Sequence, residues 1–247
     1  VKVYVDEFPL TDAGGNTYFN LIDAKAVERA EVLKGPDGSL FGANSGGVVL
    51  LDLSGQKRDS SALAFGLSGG SYGMLHEHAS WKHSAGKSRF SLNQGYQQSD
   101  GYRENSALRR AFLQASERWM YGKNNSIKLL ALYSDLHYQT PGGLTQAQFD
   151  SNAQQAQTIS PANFVARDER RFNRLGSMGV TLDHAIGDNH TITSMAFIQP
   201  KFLQRSERNT FRDFTRYHVG GNVIYKNFGK ISDEIGSHFI AGVDNQY

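Results

Sequence analysis

At 247 residues the chain has room for one large or two modest domains, and its 26 basic against 24 acidic residues leave a net charge of +2, which excludes the strongly positive footprint of a nucleic-acid partner. Zero cysteines exclude a disulfide framework and thiolate metal sites. Apolar residues make up 39% and mean hydropathy is −0.48, yet 26 glycines, 11 tyrosines and 15 phenylalanines accompany only five prolines, a balance that favours strands and turns.

Val1, Val3 and Val5 alternate with Lys2 and Tyr4, the period of a strand, and Asp6-Glu7 followed by Pro9 turns the chain. The next segment, TDAGGNTYFNLID, is a polar glycine-containing loop with two adjacent aromatics, Tyr18 and Phe19, placed either against the local fold or at a ligand-facing apex. Asp23 stands at the cap position of a short helix through Ala24, Lys25 and Ala26. From 27 to 53 a charged β-prone run breaks at Gly35-Pro36, passes Gly38, Gly42, Gly46 and Gly47, and resumes as an apolar strand. A phosphate loop needs Lys-Ser or Lys-Thr after its last glycine; Val48-Val49 follows here, so that reading fails. SGQKRDSS then forms a polar connector, and the composition changes near residue 56.

Period-two runs fill the remainder. Leu63, Phe65 and Leu67 share one face, as do Phe90 and Leu92, and Ala111, Leu113 and Ala115. Later, Tyr217, Val219, Gly221, Val223 and Tyr225 lie opposite Arg216, His218 and Asn222, so two tyrosines bracket an apolar band. That spacing is roughly 26 Å along the strand and about 20 Å after tilting, comparable with the apolar belt and aromatic girdles of a membrane barrel; a soluble sandwich shares the period, and loop lengths separate the two better. No run of 18 apolar residues is present, so a transmembrane helix is excluded while membrane strands are not. Tight connections near 84–88, 121–126 and 186–190 alternate with longer ones at 99–106, 136–170 and 201–212, with the short connection at 70–74 and the longish one at 227–234 as exceptions. In an up-and-down sheet this gathers long loops at one end, the asymmetry of outer-membrane barrels. Within 136–170, Pro141-Gly142-Gly143 reads as a turn and TQAQFDSNAQQAQ as helix-compatible, with Thr145 as its cap.

Enzyme-like constellations do not assemble. His76 and His78 share a strand face, but His83 and Glu77 fall on the other, which reads as surface or lumen histidine rather than a metal site. Serine-rich segments lack the G-x-S-x-G elbow, and Asp168-Glu169 are adjacent and so point to opposite faces of a strand. Arginines at 109, 110 and 118 and at 205, 208, 212 and 216 would attract an anionic ligand wherever they face a barrel interior.

The stretch VERAEVLKGPDGSLFGANSGGVVLLDL resembles the end of the plug domain of TonB-dependent outer-membrane receptors, which reads V-E-R-[IA]-E-V-[LI]-[KR]-G-P, then S-L-[YF]-G, then G-G-V-[VI]. VKVYVDEFPLTD is similar to the plug strand V-Y-[IV]-D-G-x-P-L, with Glu7 where glycine is commoner, and LIDAKAVERAEV to the I-D-x-x-x-[VI]-E-R segment. The D-G-Y-R and Y-x-T-P-G-G-L-T pieces resemble early barrel strands of the siderophore and ferric-citrate branch, so the likeness runs over residues 1–145. It implies an all-β membrane barrel, about nine antiparallel strands of a roughly 22-stranded barrel, with the C-terminal part of an α+β plug. The expected division is 1–55 for the plug and 56–247 for the barrel portion. The resemblance further implies import of a ferric siderophore or ferric citrate through the outer membrane, driven by the TonB complex through a segment preceding Val1. Chelated ferric iron is then the substrate; no cofactor, catalysis or nucleic acid is implied, and the lipid of the membrane surrounds the strands. By position, Asn16, Tyr18 and Phe19 correspond to the plug apex facing the ligand, and Arg29 and Glu31 to plug charges that pair with the barrel wall. Tyr102, Arg103, Tyr138 and Gln139 in the first barrel loops are further candidates, aromatic and arginine side chains being suited to anionic chelates. A glycan importer of the same superfamily and a passive porin are the alternatives; the first departs from LKGPDGSLFGANSGGV at Pro36, and the second has no plug segment.

Overall fold

A computed structural model describes residues 1–35, 41, 46–55, 61–157, 169–207, 210–230 and 236–247. The sequence features at Pro36, Gly38, Gly42, the connector from residue 56 with its expected boundary, Asp168 and Arg208 lie outside these residues.

Two sheets account for the architecture. The smaller is mixed, with order β2-β1-β4-β3: β1 (Lys2–Val5) runs parallel to β4 (Val48–Asp52) and antiparallel to β2 (Phe8–Pro9), and β3 (Arg29–Leu33) is antiparallel to β4. Gly47 takes a φ of 135° at the entry to β4, and a Cβ there would lie 3.0 Å from the Leu33 carbonyl. Gly47 therefore serves the close approach of β3 and β4. Between β2 and β3, Asp23 accepts the N–H of Lys25 at 3.0 Å and caps a single 3-10 turn, Ala24–Ala26, which ends where Val27 becomes extended.

The larger sheet has nine antiparallel strands in sequence order: β5 (Ala62–Gly70), β6 (Met74–Ala85), β7 (Ser88–Ser99), β8 (Leu108–Tyr121), β9 (Asn125–Gln139), β10 (Arg170–Ile186), β11 (His190–Glu207), β12 (Thr210–Lys230) and β13 (Gly236–Gln246). One expectation is overturned here. Residues 201–212 are not a long connection, because β11 and β12 continue through them and pair to Glu207↔Thr210. Alternation of side chains persists to that point, so nothing in the local chemistry ends the ladder sooner. Both remaining long connections, 100–107 and 140–169, leave the same end of the sheet, as does the turn at 71–73. The longer one carries α1 (Gln146–Ser151), with the complete capping box between Thr145 and Gln148.

The two faces of this wall differ in kind. Outward positions carry Leu63, Phe65, Leu67, Trp81, Trp119 and Tyr217, all well exposed, whereas inward positions carry buried polar groups such as Asn93, Gln114, Lys128, Asn173 and Gln199. The inner face is met by the smaller sheet. Val3, Val5, Leu21 and Leu51 form one apolar cluster with Phe112, Leu132, Leu136 and Leu175 of the wall, so the largest core lies between the sheets.

The first turn of the chain is keyed into that wall. Val5 pairs with Phe8, leaving Asp6 and Glu7 as a two-residue turn with φ values of 47° and 84°. A twist-matched hairpin needs positive φ at both positions, which glycine adopts freely and glutamate only at about 1–3 kcal/mol. Phe8 follows and fills the space above Gly179 on β10, where any Cβ would overlap its ring. Gly179→Ala is expected to destabilise seating of the small sheet by about 1–3 kcal/mol through overpacking, and the penalty should vanish in a Phe8→Ala background. Denaturant titration of the two single variants and the double variant measures this coupling.

Candidate functional site

Loop 12–23 stretches along the inner wall towards the end bearing the long connections, and each of its two ends is held by a buried aspartate. At the first, Asp12 accepts Lys201 Nζ at 3.0 Å and lies 3.6 Å from Arg216 Nη1, while its Oδ1 accepts the Asn16 N–H at 2.9 Å and Nδ2 at 3.2 Å. Alternation on β11 and β12 places Lys201 and Arg216 inward, directly paired across the ladder. At the second end, Asp23 receives His76 Nε2 at 2.9 Å and Arg110 Nη2 at 3.4 Å. Its carboxylate occupies a notch above Gly95 that a Cβ would close. Arg110 also donates to the carbonyls of Asn20 at 3.3 Å and Ile22 at 2.9 Å, satisfying the end of the 3-10 turn Phe19–Leu21.

Between these anchors the predicted apex residues separate by role. Phe19 is 53% exposed at the crest, and Asn16 is exposed while bracing Asp12. Tyr18 is half-buried against the apolar cluster, with the Lys201 ammonium 4.5 Å from its ring centre. Tyr138 reaches the same cluster from β9. Arg216, whose side chain is 49% exposed, stacks its guanidinium 4.7 Å from the Phe214 ring. The loop and the strands that anchor it thus offer exposed and half-buried rings at Phe19 and Tyr18 and a reachable positive charge at Arg216, groups suited to flat anionic ligands.

The other predicted residues do different work. Arg103 is committed to backbone carbonyls: Gly142 at 2.8 Å, Pro141 at 3.4 Å and Gln155 at 3.0 and 3.1 Å. Together with Asn105, which donates to Thr140 and Glu169, it staples loop 140–157 onto loop 100–107. Tyr102 is half-exposed and meets Tyr72 edge-on at 5.5 Å, and Gln139 accepts the N–H of Ala107 at 3.3 Å. Arg29 and Glu31 lie on the exposed edge strand β3 and bridge each other at 3.5 Å. Among the described residues, ion pairs to the wall are made by Glu7 with Arg118 and Lys128, by Glu28 with Lys82, and by the two aspartates above. Of the histidine trio, His76 serves the Asp23 anchor, and no metal-binding group of three donors occurs among the described residues. Lys201 escaped sequence reasoning, although a lysine at an inward position of a membrane-type strand is a readable signal. His76, expected at a surface or lumen position, is the buried partner of Asp23.

Residues 1–49 match the family model described as TonB-dependent Receptor Plug Domain. Among solved structures, the chain is similar to the ferric citrate transporter FecA in its unliganded form, with TM-score 0.80 and 16% identity over 99% of this chain and 38% of that one. It is similar also to BauA, the ferric preacinetobactin receptor of Acinetobacter baumannii, with TM-score 0.74 and 14% identity over 100% and 40%. For the ferric-catecholate import receptor Fiu of E. coli in an open form the values are 0.72 and 16%, over 98% and 41%. The chain therefore has the fold of a plug joined to a partial receptor barrel, and it spans about two fifths of those receptors' length.

The Asp12 anchor carries a pH signature. Burial pushes its carboxyl up, but the Asn16 N–H and the Lys201 ammonium outweigh this and hold it below the ordinary 3.8. A carboxyl whose folded value lies below its unfolded one contributes stability that is complete above 3.8 and lost as the pH falls through the folded value. Asp12→Asn should cost about 2 kcal/mol at neutral pH, and the thermal unfolding curves of variant and wild type should converge on acidification.

Proposed function

We propose that residues 1–55 are plug and 56–247 barrel wall of an outer-membrane receptor that binds a ferric siderophore or ferric citrate at the cell surface and imports it with energy supplied by the TonB complex. The end carrying connections 100–107 and 140–169 is then the outer one, and loop 12–23 faces incoming ligand. The single observation that carries the reading is the placement of that loop: the buried Asp12–Lys201 pair is reached by a half-exposed, stacked Arg216 on one side and lies beside the Tyr18 ring on the other, with Phe19 exposed next to it in the chain. Ferric citrate and ferric catecholates are anionic and rich in oxygen donors, so a guanidinium that offers a planar fork and an aromatic crest that offers a face are the complementary groups.

The plug-domain match and the fold shared with receptors for ferric citrate, ferric preacinetobactin and ferric catecholate support the same class. Chelated iron enters as substrate, and the reading assigns no catalytic step. The passive-porin alternative is disfavoured by a core shared between plug and wall, which fills the space a diffusion pore requires.

Full-length protein is expected to bind ferric citrate or a ferric siderophore well above an albumin control. Phe19→Ala and Arg216→Ala should each weaken that binding about tenfold while leaving assembly intact. Tyr18→Ala is a less clean probe, because its ring belongs to the packed cluster. Equal binding by wild type and both variants would remove the site, and retention of neutral oligosaccharides in place of iron chelates would move the protein to the glycan importers.

A further inference from the structure

At the end of the wall that carries the tight turns, two neighbouring rows of inward side chains bring cations together. Strand register sets Arg89 of β7, Arg118 of β8 and Lys128 of β9 directly opposite one another, and in the adjacent row it sets Lys82 of β6 opposite Ser91 of β7 and Ser116 of β8. Like charges opposed in this way repel, so the rows need negative charge from elsewhere. Part of it comes from two carboxylates. Glu28 pairs with Lys82, and the half-exposed Glu7 lies 3.2 Å from Arg118 Nη2 and 3.7 Å from Lys128 Nζ, which also donates to the Asp6 carbonyl at 2.8 Å. Arg89 has a partner of its own. These pairings leave two buried groups over: the hydroxyl of Ser91, a residue 3% exposed, and Arg118 Nε have no hydrogen-bond partner among the described residues.

Ser91 and Arg118 line one small cavity of about 20 Å³, where the chain leaves the small sheet at Ser54-Gly55. Two lysines, two arginines and four serines contribute to its lining and, among the described residues, no carboxylate does. Lysine and arginine can only donate, and a serine hydroxyl can turn to donate as well, so the lining suits a guest that accepts hydrogen bonds from every side. A water has two protons of its own to place there, whereas a halide has none. Size selects in the same direction: about 20 Å³ exceeds the roughly 10–15 Å³ that one water-sized guest needs and is too small for a tetrahedral oxyanion or a chelate.

We infer that this cavity is a binding site for a single halide ion such as chloride, which takes hydrogen bonds from Ser91 Oγ and Arg118 Nε and lies in the field of the Lys82 and Lys128 ammonium groups. The ion supplies the negative charge that the opposed cations require beyond Glu7 and Glu28. The site is separate from loop 12–23, and the inference does not depend on which cargo the protein carries.

The test uses full-length protein in detergent, exchanged into gluconate at fixed ionic strength. Replacing gluconate by chloride or bromide should raise the midpoint of thermal unfolding by a few degrees and saturate, while sulfate at the same ionic strength should leave it unmoved. Crystals grown with bromide should give an anomalous peak in the cavity between Ser91 and Arg118. Ser91→Ala should shift the halide concentration needed for half the effect upward about tenfold, the loss of one hydrogen bond to a charged partner. Ser91→Asp places a fixed carboxylate where the ion sits and should be as stable in gluconate as the wild type is in chloride, with no further gain from chloride. Equal stabilisation by chloride and sulfate, a halide response unchanged in Ser91→Ala, or no bromide in the cavity overturns the inference and leaves the space to water or to an adventitious ion only. Should either variant fail to accumulate, the anion comparison and the bromide position in the wild type decide by themselves. Chelate binding enters none of these measurements, so its failure would count against the receptor reading and not against this one.

Discussion

Taking an ammonium out of water is unfavourable by several kcal/mol unless oxygens and an opposite charge replace its hydration shell. Lys128 on the inner face of β9 imposes that requirement, and the wall's own β8 neighbour on that face, Arg118, adds a like charge. Both are met by the first turn of the chain, through the Asp6 carbonyl and the Glu7 carboxylate. Burial in turn pushes the Asp6 carboxyl above its ordinary value, opposed by the Lys128 ammonium and by the N–H groups of Leu53 and Ser54. Much of the architecture follows from these pairs. A small sheet with its charged turn against one part of the wall brings Val3, Val5 and Leu51 over Phe112 and Leu132, and the apolar core closes between them.

The attachments differ in kind along the inner segment. Near residues 6–8 they combine charge, amide and shape, with the Glu7 side chain half-exposed; along loop 12–23 they are two aspartates buried against Lys201 and against His76 and Arg110.

Much of this fold was legible in the sequence because strands report themselves twice, once by period and once by what ends them. Tyr217 to Tyr225 marked an outward face that the structure confirms, with His218 and Arg216 turned inward. Connections read less well: residues 201–212 carry polar side chains in both a loop and a protruding hairpin, and only the pairing of β11 with β12 separates the two. Loop 12–23 is legible in the sequence as a polar loop with two adjacent aromatics, but its anchors are not, since Asp12, Lys201 and Arg216 are joined by folding across most of the chain. Arg103 illustrates the converse. Its residue type fits an anion, yet four hydrogen bonds to three nearby carbonyls make an equally good staple, and sequence carries no sign of which use prevails.

The glycine notches at 95 and 179 bear on assembly. Side chains of a strand change faces with every residue, so sliding β10 by one position would bring Met178 or Val180 to the spot where Phe8 now sits above Gly179, and the ring would have no room. Asp23 over Gly95 applies the same condition to β7. A long, tilted, two-faced ladder has few internal means of telling correct pairing from a slipped one. The small sheet and its loop supply that discrimination from inside: Phe8 over Gly179 and Asp23 over Gly95 fit this register of the wall and not one slipped by a residue.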